Sequence, residues 1–536
     1  MVLRYCISFC FIFDTKELEE YTENIKKQIK HGFGMFASNS SALVVKHKCS
    51  ARAGGNHSHP LHTLSRRRTQ NTIARTFHAA SGSDAEVRNH RLQVLVAGGG
   101  LGGLFLSICL AKKGIDVVVL ERTNIYRPLG GPIQLASNGM SVLKATSEQL
   151  YRRVQDNSRP FWGTKSGIKD GLTSEWMFEF GAITEIPRKR ELPFAVCIDR
   201  SDLQKCLLDE IGSMKSVSSH GQVNIQMGAF VTKFEEDAVS GRVNVMLEDG
   251  RILDADILIG ADGIWSSVRA QMFDEPGGVR GSESTASYTG YKLFSGLPIY
   301  ESEDYFDIGY CAYVGPDNYF VTCPDRCGRL QWYAFVKSPP NTGSTDAATE
   351  FLLNQYSDWS PEVKHLISIT PEFDIKQRDL WDRPPCVSQS WSKGRVALLG
   401  DSCHATMPNI GQGTGLAFED AYILSASLED VKRDSSIDVV LRDYYTQRLF
   451  RTAAIQGLGR LNSEAIKILT PLLPIKPIID SIISPFLPIV FSFQFGYCYS
   501  FCPAKENVAD SLLAAAKMDC RHRLESRKAW LENRSK

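Results

Sequence analysis

A glycine-rich turn between two short apolar segments most strongly limits how this chain can fold. Residues 92–97 and 115–120 are largely apolar and β-branched, which is typical of buried parallel strands. Between them, Gly98, Gly100 and Gly103 follow the spacing G-x-G-x-x-G and precede a predicted helix. Strand, turn, helix and strand in this order predict the βαβ unit of a Rossmann-like dinucleotide-binding fold.

The glycines and a downstream acid have separate roles in this motif. Gly98 permits the tight turn, Gly100 lets the backbone approach a pyrophosphate, and Gly103 lets the helix pack closely on the strand. The helix is predicted to start near Leu101 and to direct its N-terminal N–H groups at that pyrophosphate. Glu121 ends the second strand, where its carboxylate can accept hydrogen bonds from ribose hydroxyls. An acid there disfavours a 2′-phosphate, so the site suits FAD or NAD rather than NADP.

The charge balance and the cysteines argue against several classes of protein. With 61 basic and 60 acidic side chains the net charge is +1, which gives no reason to expect a nucleic-acid partner. The 14 cysteines include no C-x-x-C pair, so neither a zinc site nor a thioredoxin-type disulfide is expected. We therefore predict no metal site, and free thiols in a reducing compartment.

The first 90 residues have the composition of a targeting segment. No Asp or Glu occurs from Asn24 to Ser83, whereas basic residues, serine and threonine are frequent there. This pattern is typical of an organellar transit peptide, and a disordered basic tail is the alternative. We therefore place residues 1–90 outside the folded domain, with Met35 as an alternative start.

Two further strand ends and one helix start carry residues that suit cofactor contacts. Asp262 and Gly263 follow one predicted buried strand, and Gly400 and Asp401 follow another. Doubly wound sheets place ligand-contacting groups at the carboxyl ends of their strands. Both aspartates can accept hydrogen bonds from ribose or ribityl hydroxyls, although Asp262 can also simply cap the next helix. Arg200 lies between a predicted strand and a helix, and a surface position is the alternative for it.

A second glycine-rich loop follows Asp401 and leads into a helix. Pro408, Gly411 and Gly413 shape this loop. The loop and the start of the helix present N–H groups that would stabilise negative charge on a reduced flavin ring. His404 invites a general-base role, but a structural hydrogen bond is the more common use of a histidine in such a loop.

Two later regions are predicted to serve the substrate and a membrane. Residues 285–336 contain several strands separated by turn signals, and a mostly antiparallel sheet inserted at about 285–380 would form a substrate wall. Residues 461–536 combine an apolar, proline-rich segment at 471–503 with a charged C-terminal helix. The apolar segment can span a bilayer, lie at its surface or pack on the domain, and we predict docking at the surface.

Three ordered motifs together resemble one class of enzymes. They are G-x-G-x-x-G followed by Glu121, then GADG with a following arginine at 260–269, then GDSCHATMPNIGQGTG with an acid pair at 400–420. This set resembles the single-component FAD-dependent monooxygenases of the aromatic-hydroxylase class. Within that class, sequences such as GPIQLASN at 131–138 look most like the zeaxanthin epoxidases.

The resemblance implies a fold and a set of cofactor contacts. The fold is α/β, with a Rossmann-like FAD-binding domain at 91–460, an inserted mostly antiparallel substrate sheet and a helical C-terminal tail. The flavin carries the chemistry, so no side chain is expected to act as a catalytic residue. The residues expected to bind the cofactor are Gly98, Gly99, Gly100, Leu101, Gly103, Glu121, Arg122, Arg200, Asp262, Gly263, Gly400, Asp401, Pro408, Gly411, Gln412 and Gly413.

The resemblance also implies an activity, partners and a location. A flavin C4a-hydroperoxide formed with O2 would epoxidise the ring double bond of a xanthophyll, converting zeaxanthin to antheraxanthin and then violaxanthin. Reduced ferredoxin or NAD(P)H would supply electrons, and the protein would associate peripherally with a thylakoid or envelope membrane of a plastid. The alternatives are a related FAD-dependent hydroxylase of another aromatic or polyene substrate and a non-catalytic flavoprotein.

Overall fold

The computed structural model describes the chain from residue 91 to residue 503, with four gaps. The described residues are 91–127, 130–275, 286–431, 436–469 and 487–503. The predicted transit segment, the first half of the apolar C-terminal segment and the charged C-terminal helix lie outside the described residues.

Short strands outnumber helices in the described part of the chain. The strands are β1 (Gln93–Ala97), β2 (Asp116–Glu121), β3 (Pro132–Leu135), β4 (Ser158–Pro160), β5 (Lys165–Asp170), β6 (Trp176–Glu179), β7 (Val196–Asp199), β8 (Val223–Met227), β9 (Val231–Asp237), β10 (Arg242–Leu247), β11 (Ile252–Ala255), β12 (Ile257–Gly260), β13 (Ser287–Gly296), β14 (Ile308–Val314), β15 (Tyr319–Pro324), β16 (Leu330–Lys337), β17 (Lys376–Asp382), β18 (Ser392–Lys393) and β19 (Val396–Leu398). The α-helices are α1 (Leu101–Lys112), α2 (Ser137–Thr146), α3 (Glu148–Asp156), α4 (Ala182–Arg190), α5 (Arg200–Met214), α6 (Ser267–Phe273), α7 (Ala348–Gln355), α8 (Pro361–Ser368), α9 (Asp401–His404), α10 (Gly413–Leu428), α11 (Ile437–Leu469) and α12 (Leu487–Cys498).

A six-stranded sheet contains the predicted βαβ unit. Its order is β18-β19-β12-β1-β2-β8, and every pair is parallel except β18 with β19. One face is covered by α1, α2, α5 and α10, where Phe105 packs on Phe418, and the small sheet β11-β10-β9 covers the other. Because the carboxyl ends of parallel strands meet at one edge, the turns that start at Gly98, Ala261 and Leu399 lie side by side.

The second large sheet has seven strands in the order β17-β13-β16-β15-β14-β5-β6. Its pairs are antiparallel except β14 with β5. Five strands come from 287–382, close to the predicted insertion. Two more, β5 and β6, come from 165–179, where the residue pattern alternates too weakly to predict a strand pair.

Side chains of the seven-stranded sheet alternate between two faces that pack against different parts of the chain. The outer face carries Phe294, Phe320 and Trp332 and is covered by α7 and α8. We call the opposite one the cofactor-side face, because Met407 from the second glycine-rich loop packs on it. Its buried and half-buried side chains are Tyr291, Leu293, Tyr310, Ala312, Tyr319, Val321, Tyr333 and Phe335.

The C-terminal helices are part of the folded domain. Helix α11 continues through residue 460, so the domain boundary predicted there falls inside a helix. Helix α12 packs on α4, and Phe495, Cys498 and Tyr499 are buried. No helix among the described residues is long and apolar enough to cross a membrane. Packing on the domain therefore describes this part of the apolar segment, and membrane contact stays a prediction.

Two helix starts differ from the sequence-based expectation. The preference of asparagine for N-cap positions predicts that Asn138 caps helix α2. The N-cap is instead Ala136, and Asn138 lies inside the first turn and is fully buried. Helix α5 starts at Arg200, because the carboxylate of Asp199 accepts a hydrogen bond from the N–H of Ser201 and caps the helix. The sequence predicts Ser201 as the cap of α5, so in both cases the cap lies two residues before the polar residue predicted for it.

Candidate cofactor site

The turn after β1 is tightly packed at two glycines and open at the third. A Cβ atom at Gly98, whose φ is +108°, would lie 2.4 Å from the backbone oxygen of Ala261. A Cβ atom at Gly103 would lie 2.0 Å from the backbone oxygen of Gly98. At Gly100 no atom lies within 4 Å of the corresponding position. The turn therefore leaves space at the N-terminus of α1, where a pyrophosphate is expected.

Glu121 holds this turn from the end of β2. Its Oε2 accepts a hydrogen bond from the N–H of Gly99 at 2.9 Å, and its Oε1 accepts bonds from the N–H and the hydroxyl of Thr123, both at 2.9 Å. The side chain is half-buried, and a carboxylate has lone pairs for further donors such as ribose hydroxyls. Of the flanking residues assigned to the cofactor, Leu101 is buried in the core and Arg122 is exposed.

Asp262 binds the first turn of α6, whose N-cap is Ser266, and also keeps one oxygen unbonded. Its Oδ2 accepts hydrogen bonds from the N–H of Ser267 at 2.8 Å and from its hydroxyl at 3.1 Å. Its Oδ1 is buried and has no hydrogen-bond partner among the described residues. Burial raises the pKa of this carboxyl. Gly263 follows with φ at +82° and open space around its Cβ position. The capping and ligand-binding interpretations therefore use different oxygens of one side chain.

The turn after β19 is held by a buried pair of side chains. Gly400 has φ at +66°, and its N–H donates to Oδ2 of Asp420 at 3.1 Å. Nε2 of His404 lies 2.5 Å from that same oxygen, and both side chains are fully buried. Burial alone would raise the pKa of Asp420 and lower that of His404. Their mutual attraction reverses both effects: with Arg448 it lowers the pKa of Asp420 to about 2, and it raises the pKa of His404. This supports a structural role for His404.

Two arginines on α11, neither of them predicted from the sequence to belong to the site, complete this buried network. Nε of Arg448 donates to Oδ1 of Asp420 at 2.7 Å, and its Nη2 lies 2.7 Å from Oε2 of Glu419. Arg451 donates to both oxygens of Glu419, at 2.6 and 2.7 Å. Two adjacent acids on one helix and two arginines three residues apart on another are the sequence signal that could have found this pairing.

Asn138 connects the network to the second glycine-rich loop. Its Nδ2 donates to Oε1 of Glu419 at 2.6 Å and to Oε1 of Gln412 at 2.9 Å. Gln412 is almost fully buried, so its side chain anchors the loop rather than facing an open cleft. The backbone N–H groups of this loop remain the atoms expected to face the flavin.

The rest of this loop lies between β3 and α9. A Cβ atom at Gly411, whose φ is +61°, would lie 2.8 Å from Oε1 of Gln134. One at Gly413 would lie 3.9 Å from Oδ1 of Asp401, so the exposed Asp401 carboxylate adjoins the start of α10. Pro408 is exposed and begins a short 3₁₀ turn. The predicted loop contacts are therefore gathered in one place.

Arg200 lies beside the turn at Gly130 and Gly131, which adjoins the seven-stranded sheet. Strands β3 and β7 pair so that Pro132 faces Asp199, which places Arg200 beside the Gly130 turn. A Cβ atom at Gly130 would lie 2.9 Å from Cδ of Arg200. The guanidinium is exposed, which fits both a flavin-side contact and the alternative surface position.

The arginine of the second motif, Arg269, supports the site from beneath. It pairs with buried Glu275 at 3.1 Å, and its Nη1 donates to the backbone oxygen of Ser402 at 3.4 Å. Arg383 donates to the backbone oxygen of Ile264 at 2.7 Å, and burial and neighbouring Arg269 lower its pKa to about 10. These buried cations tie the turn after β12 to the turn after β19.

The cofactor-side face of the seven-stranded sheet joins the small sheet β3-β7-β4. The hydroxyl of Tyr333 donates to the backbone oxygen of Pro132 at 2.9 Å. Sγ of Cys323 lies 2.8 Å from Sγ of Cys197, and both thiols are buried. Tyr319 and Phe335 stack on this face with ring centroids 4.0 Å apart. An aromatic wall thus meets the glycine-rich turns.

These features fit FAD as the bound group. The open position at Gly100 suits the pyrophosphate, Glu121 the adenosine ribose, and the orphaned Oδ1 of Asp262 an additional donor from the cofactor. The individual contacts of the remaining assigned residues stay predictions.

Residues 91–456 match the family described as FAD binding domain. The chain therefore belongs to this family, and the predicted fold class and the predicted cofactor, FAD, are confirmed.

Similar proteins extend this comparison. The chain is 36% identical over 385 residues to a protein named "Zeaxanthin epoxidase, chloroplastic" from Oryza sativa subsp. japonica, with 69% of this chain and 55% of that protein covered. A protein of the same name from Solanum lycopersicum is 36% identical over 398 residues, with 72% and 56% covered. The chain thus spans about half the length of these relatives. The crystal structure of Klebsiella pneumoniae HpxO complexed with FAD and uric acid is 25% identical, with a TM-score of 0.63, and covers 76% of this chain and 97% of that one.

Proposed function

We propose that this chain is an FAD-dependent monooxygenase that epoxidises the ring double bond of a xanthophyll, zeaxanthin first and antheraxanthin second. The family match supports FAD, and the two relatives described above carry the name of this activity. The match spans about half the length of these relatives, so the substrate is inferred from the sheet beside the cofactor site.

The observation that carries the proposal is the aromatic and aliphatic surface beside the second glycine-rich loop. Met407 of that loop belongs to the same buried apolar cluster as Tyr291, Tyr319 and Phe335 of the cofactor-side face. Tyr310, Ala312 and Tyr333 on the same face are only partly buried. A long apolar polyene suits a surface of this kind, because contact removes apolar area from water on both sides.

The cofactor, when bound, supplies the oxygen-activating chemistry. The chain's own residues hold and shield it. The turns at Gly98, Asp262 and Gly400 fix its position through backbone groups that are themselves locked by Glu121 and Asp420. The apolar face excludes water from the reacting end of the substrate, which limits unproductive loss of the activated oxygen.

One specific feature favours a related hydroxylase instead. Arg378 on edge strand β17 is the cross-strand neighbour of Leu293 and so stands on the cofactor-side face, with Lys376 two residues away. A cation there can anchor the carboxylate of an aromatic acid. A non-catalytic flavoprotein is the remaining alternative from the sequence.

The partners and the location belong to the same proposal. Plastid delivery is supported by the word chloroplastic in the names of the relatives and by the acid-free composition of residues 24–83. Peripheral contact with a thylakoid or envelope membrane suits a lipid-dissolved substrate, and reduced ferredoxin or NAD(P)H is the expected electron donor.

Oxygen consumption by the FAD-loaded protein separates these functions. Zeaxanthin in detergent micelles is expected to stimulate oxygen use in the presence of a donor, whereas aromatic acids are not. If only an aromatic acid stimulates oxygen use, the hydroxylase is favoured. If an Arg378→Ala variant then loses that stimulation, Arg378 is the residue that anchors the substrate carboxylate. No stimulation by any substrate would favour a non-catalytic flavoprotein.

A further inference from the structure

The outer surface of α12 is apolar and exposed, although the rest of this helix packs on the domain. Residues 487–503 contain no charged side chain. On the outer side, Val490 is 43% exposed and Phe493 is 46% exposed. Single exposed apolar side chains are common on protein surfaces, so the surroundings decide whether this pair has a role.

A basic cluster at the end of α4 contacts the same helix. The last turn of α4 carries three consecutive exposed basic residues at 188–190. Nη1 of Arg190 donates to the backbone oxygen of Gly496 at 2.8 Å, so this cluster and α12 are in contact. The acids of this segment are Glu185, which pairs with a lysine of the cluster, and Glu191, so a net positive charge remains.

The inner side of α12 leads to the cofactor-side face. Phe491 stacks on Phe178 of β6 with ring centroids 5.3 Å apart. From Phe178, cross-strand neighbours form a continuous row of side chains across the sheet. The members of this row are Phe178, Ile168, Ala312, Val321 and Tyr333. Helix α12 therefore packs on one end of an apolar row of side chains whose other end, Tyr333, belongs to the cofactor-side face.

We propose that Val490 and Phe493 of α12, together with the basic cluster at 188–190, dock the protein on a bilayer that contains anionic lipid. The apolar side chains enter the boundary between headgroups and acyl chains, and the basic side chains bind anionic headgroups. The row behind α12 then gives a lipid-dissolved substrate a short way into the site. Only this last step rests on the proposed function; the docking stands without it.

Vesicle flotation of the full FAD-loaded chain tests the docking. The vesicles are phosphatidylcholine with or without phosphatidylglycerol, and they carry no xanthophyll. A Val490→Ser/Phe493→Ser variant is expected to bind about tenfold more weakly to both kinds of vesicle. An Arg188→Ala/Lys189→Ala variant is expected to lose about tenfold on the anionic vesicles alone. The matched control is Phe373→Ser, which removes a 78% exposed phenylalanine near the outer face of the seven-stranded sheet and is expected to change nothing.

Wild-type binding by the Val490→Ser/Phe493→Ser variant would overturn the proposal. A change in its sedimentation together with unchanged lipid binding would identify a second copy of the chain as the occupant instead. Unchanged flavin absorbance confirms that each variant is folded.

Xanthophyll turnover in lipid vesicles and in detergent micelles tests whether the substrate enters past α12. The docking variants are expected to lose xanthophyll turnover in vesicles and keep it in detergent micelles, and equal turnover in vesicles would contradict the route. If the wild-type protein turns over no xanthophyll in either vesicles or micelles, the proposed function is wrong, whereas the lipid-binding result still stands.

Discussion

The imidazole Nε2 of His404 and the carboxylate Oδ2 of Asp420 lie 2.5 Å apart in the core, and the N–H of Gly400 binds that same oxygen. This contact joins the turn after β19 to the middle of α10. Arg448 binds the other oxygen of Asp420, so one carboxylate positions a turn, a loop and the long helix α11. The positions of the predicted cofactor contacts Gly400 and Asp401 therefore depend on residues that never touch the cofactor.

Asp420→Asn tests this dependence. The substitution keeps the shape and removes the charge, leaving Arg448 and His404 buried with a weakened partner. We expect the free energy of unfolding to fall by about 3 kcal/mol and FAD retention to weaken with it. Asp443→Asn on the exposed side of α11 is the matched control and is expected to change neither. Thermal melting and flavin release measure both effects, and a variant that melts within a degree of wild type would contradict the role of Asp420.

The Asp420–His404 pair also predicts how the stability of the fold depends on pH. The pKa of Asp420 in the folded protein is about 2, below its usual value of 3.8. The charged carboxylate therefore stabilises the fold fully above pH 3.8, and this stabilisation is lost as the pH falls toward 2. The pKa of His404 is raised in the folded protein. The protonated imidazole therefore stabilises the fold below about pH 6.5, and this stabilisation is lost as the pH rises through the pKa of the folded state.

Urea unfolding at a series of pH values measures the acidic part of this effect. The stability difference between wild type and Asp420→Asn is expected to shrink by about 2 kcal/mol between pH 5 and the folded pKa. A difference that is independent of pH would show that folding does not shift the pKa of this carboxyl.

The first glycine-rich turn predicts opposite defects for two glycines. Gly100→Val places its side chain in open space, so we expect unchanged thermal stability of the FAD-free protein and FAD affinity reduced on the order of 100-fold. Gly98→Ala forces a positive φ on alanine and a clash with Ala261, so we expect it to destabilise the FAD-free protein by about 2 kcal/mol or more. Melting curves of the FAD-free variants measure the stability defect, and titrations with FAD measure the binding defect. Tight FAD binding by Gly100→Val would place the pyrophosphate elsewhere.

Glu121 is expected to contribute directly to FAD affinity. Glu121→Ala removes the ribose acceptor and the bond to Gly99, and we expect FAD to bind 10- to 100-fold more weakly, as for hydrogen bonds to a charged group. Thr123→Val removes one donor to the same carboxylate and keeps the charge, so it controls for disturbance of the turn. Fluorescence titration gives both affinities, and equal values for Glu121→Ala and wild type would remove this carboxylate from the site.

The parts of the site that follow from local sequence were predictable. The three strand–turn–helix motifs depend on glycines and on continuous apolar strands, and their positions agree with the structure to within a residue or two. The topology then brings Gly98, Asp262 and Gly400 together, because the strands before them are neighbours in one parallel sheet.

The parts that depend on distant pairing were not predictable. Arg448 and Arg451 lie about 30 residues beyond the acids they bind, and Asn138 lies more than 270 residues before Gln412. Strands β5 and β6 join the substrate sheet only because β14 is there to pair with β5. Similarly, the apolar composition of α12 does not reveal which of its sides packs on α4.

Product analysis with ¹⁸O₂ tests the central claim most directly. The FAD-loaded protein is incubated under ¹⁸O₂ with zeaxanthin in lipid micelles and reduced ferredoxin or NADPH. The carotenoids are then separated by chromatography and their masses are measured by mass spectrometry. We expect products that carry one and then two ¹⁸O atoms, identified as antheraxanthin and violaxanthin. Flavin that is reduced and reoxidised with release of hydrogen peroxide, and zeaxanthin that gains no ¹⁸O, would contradict it.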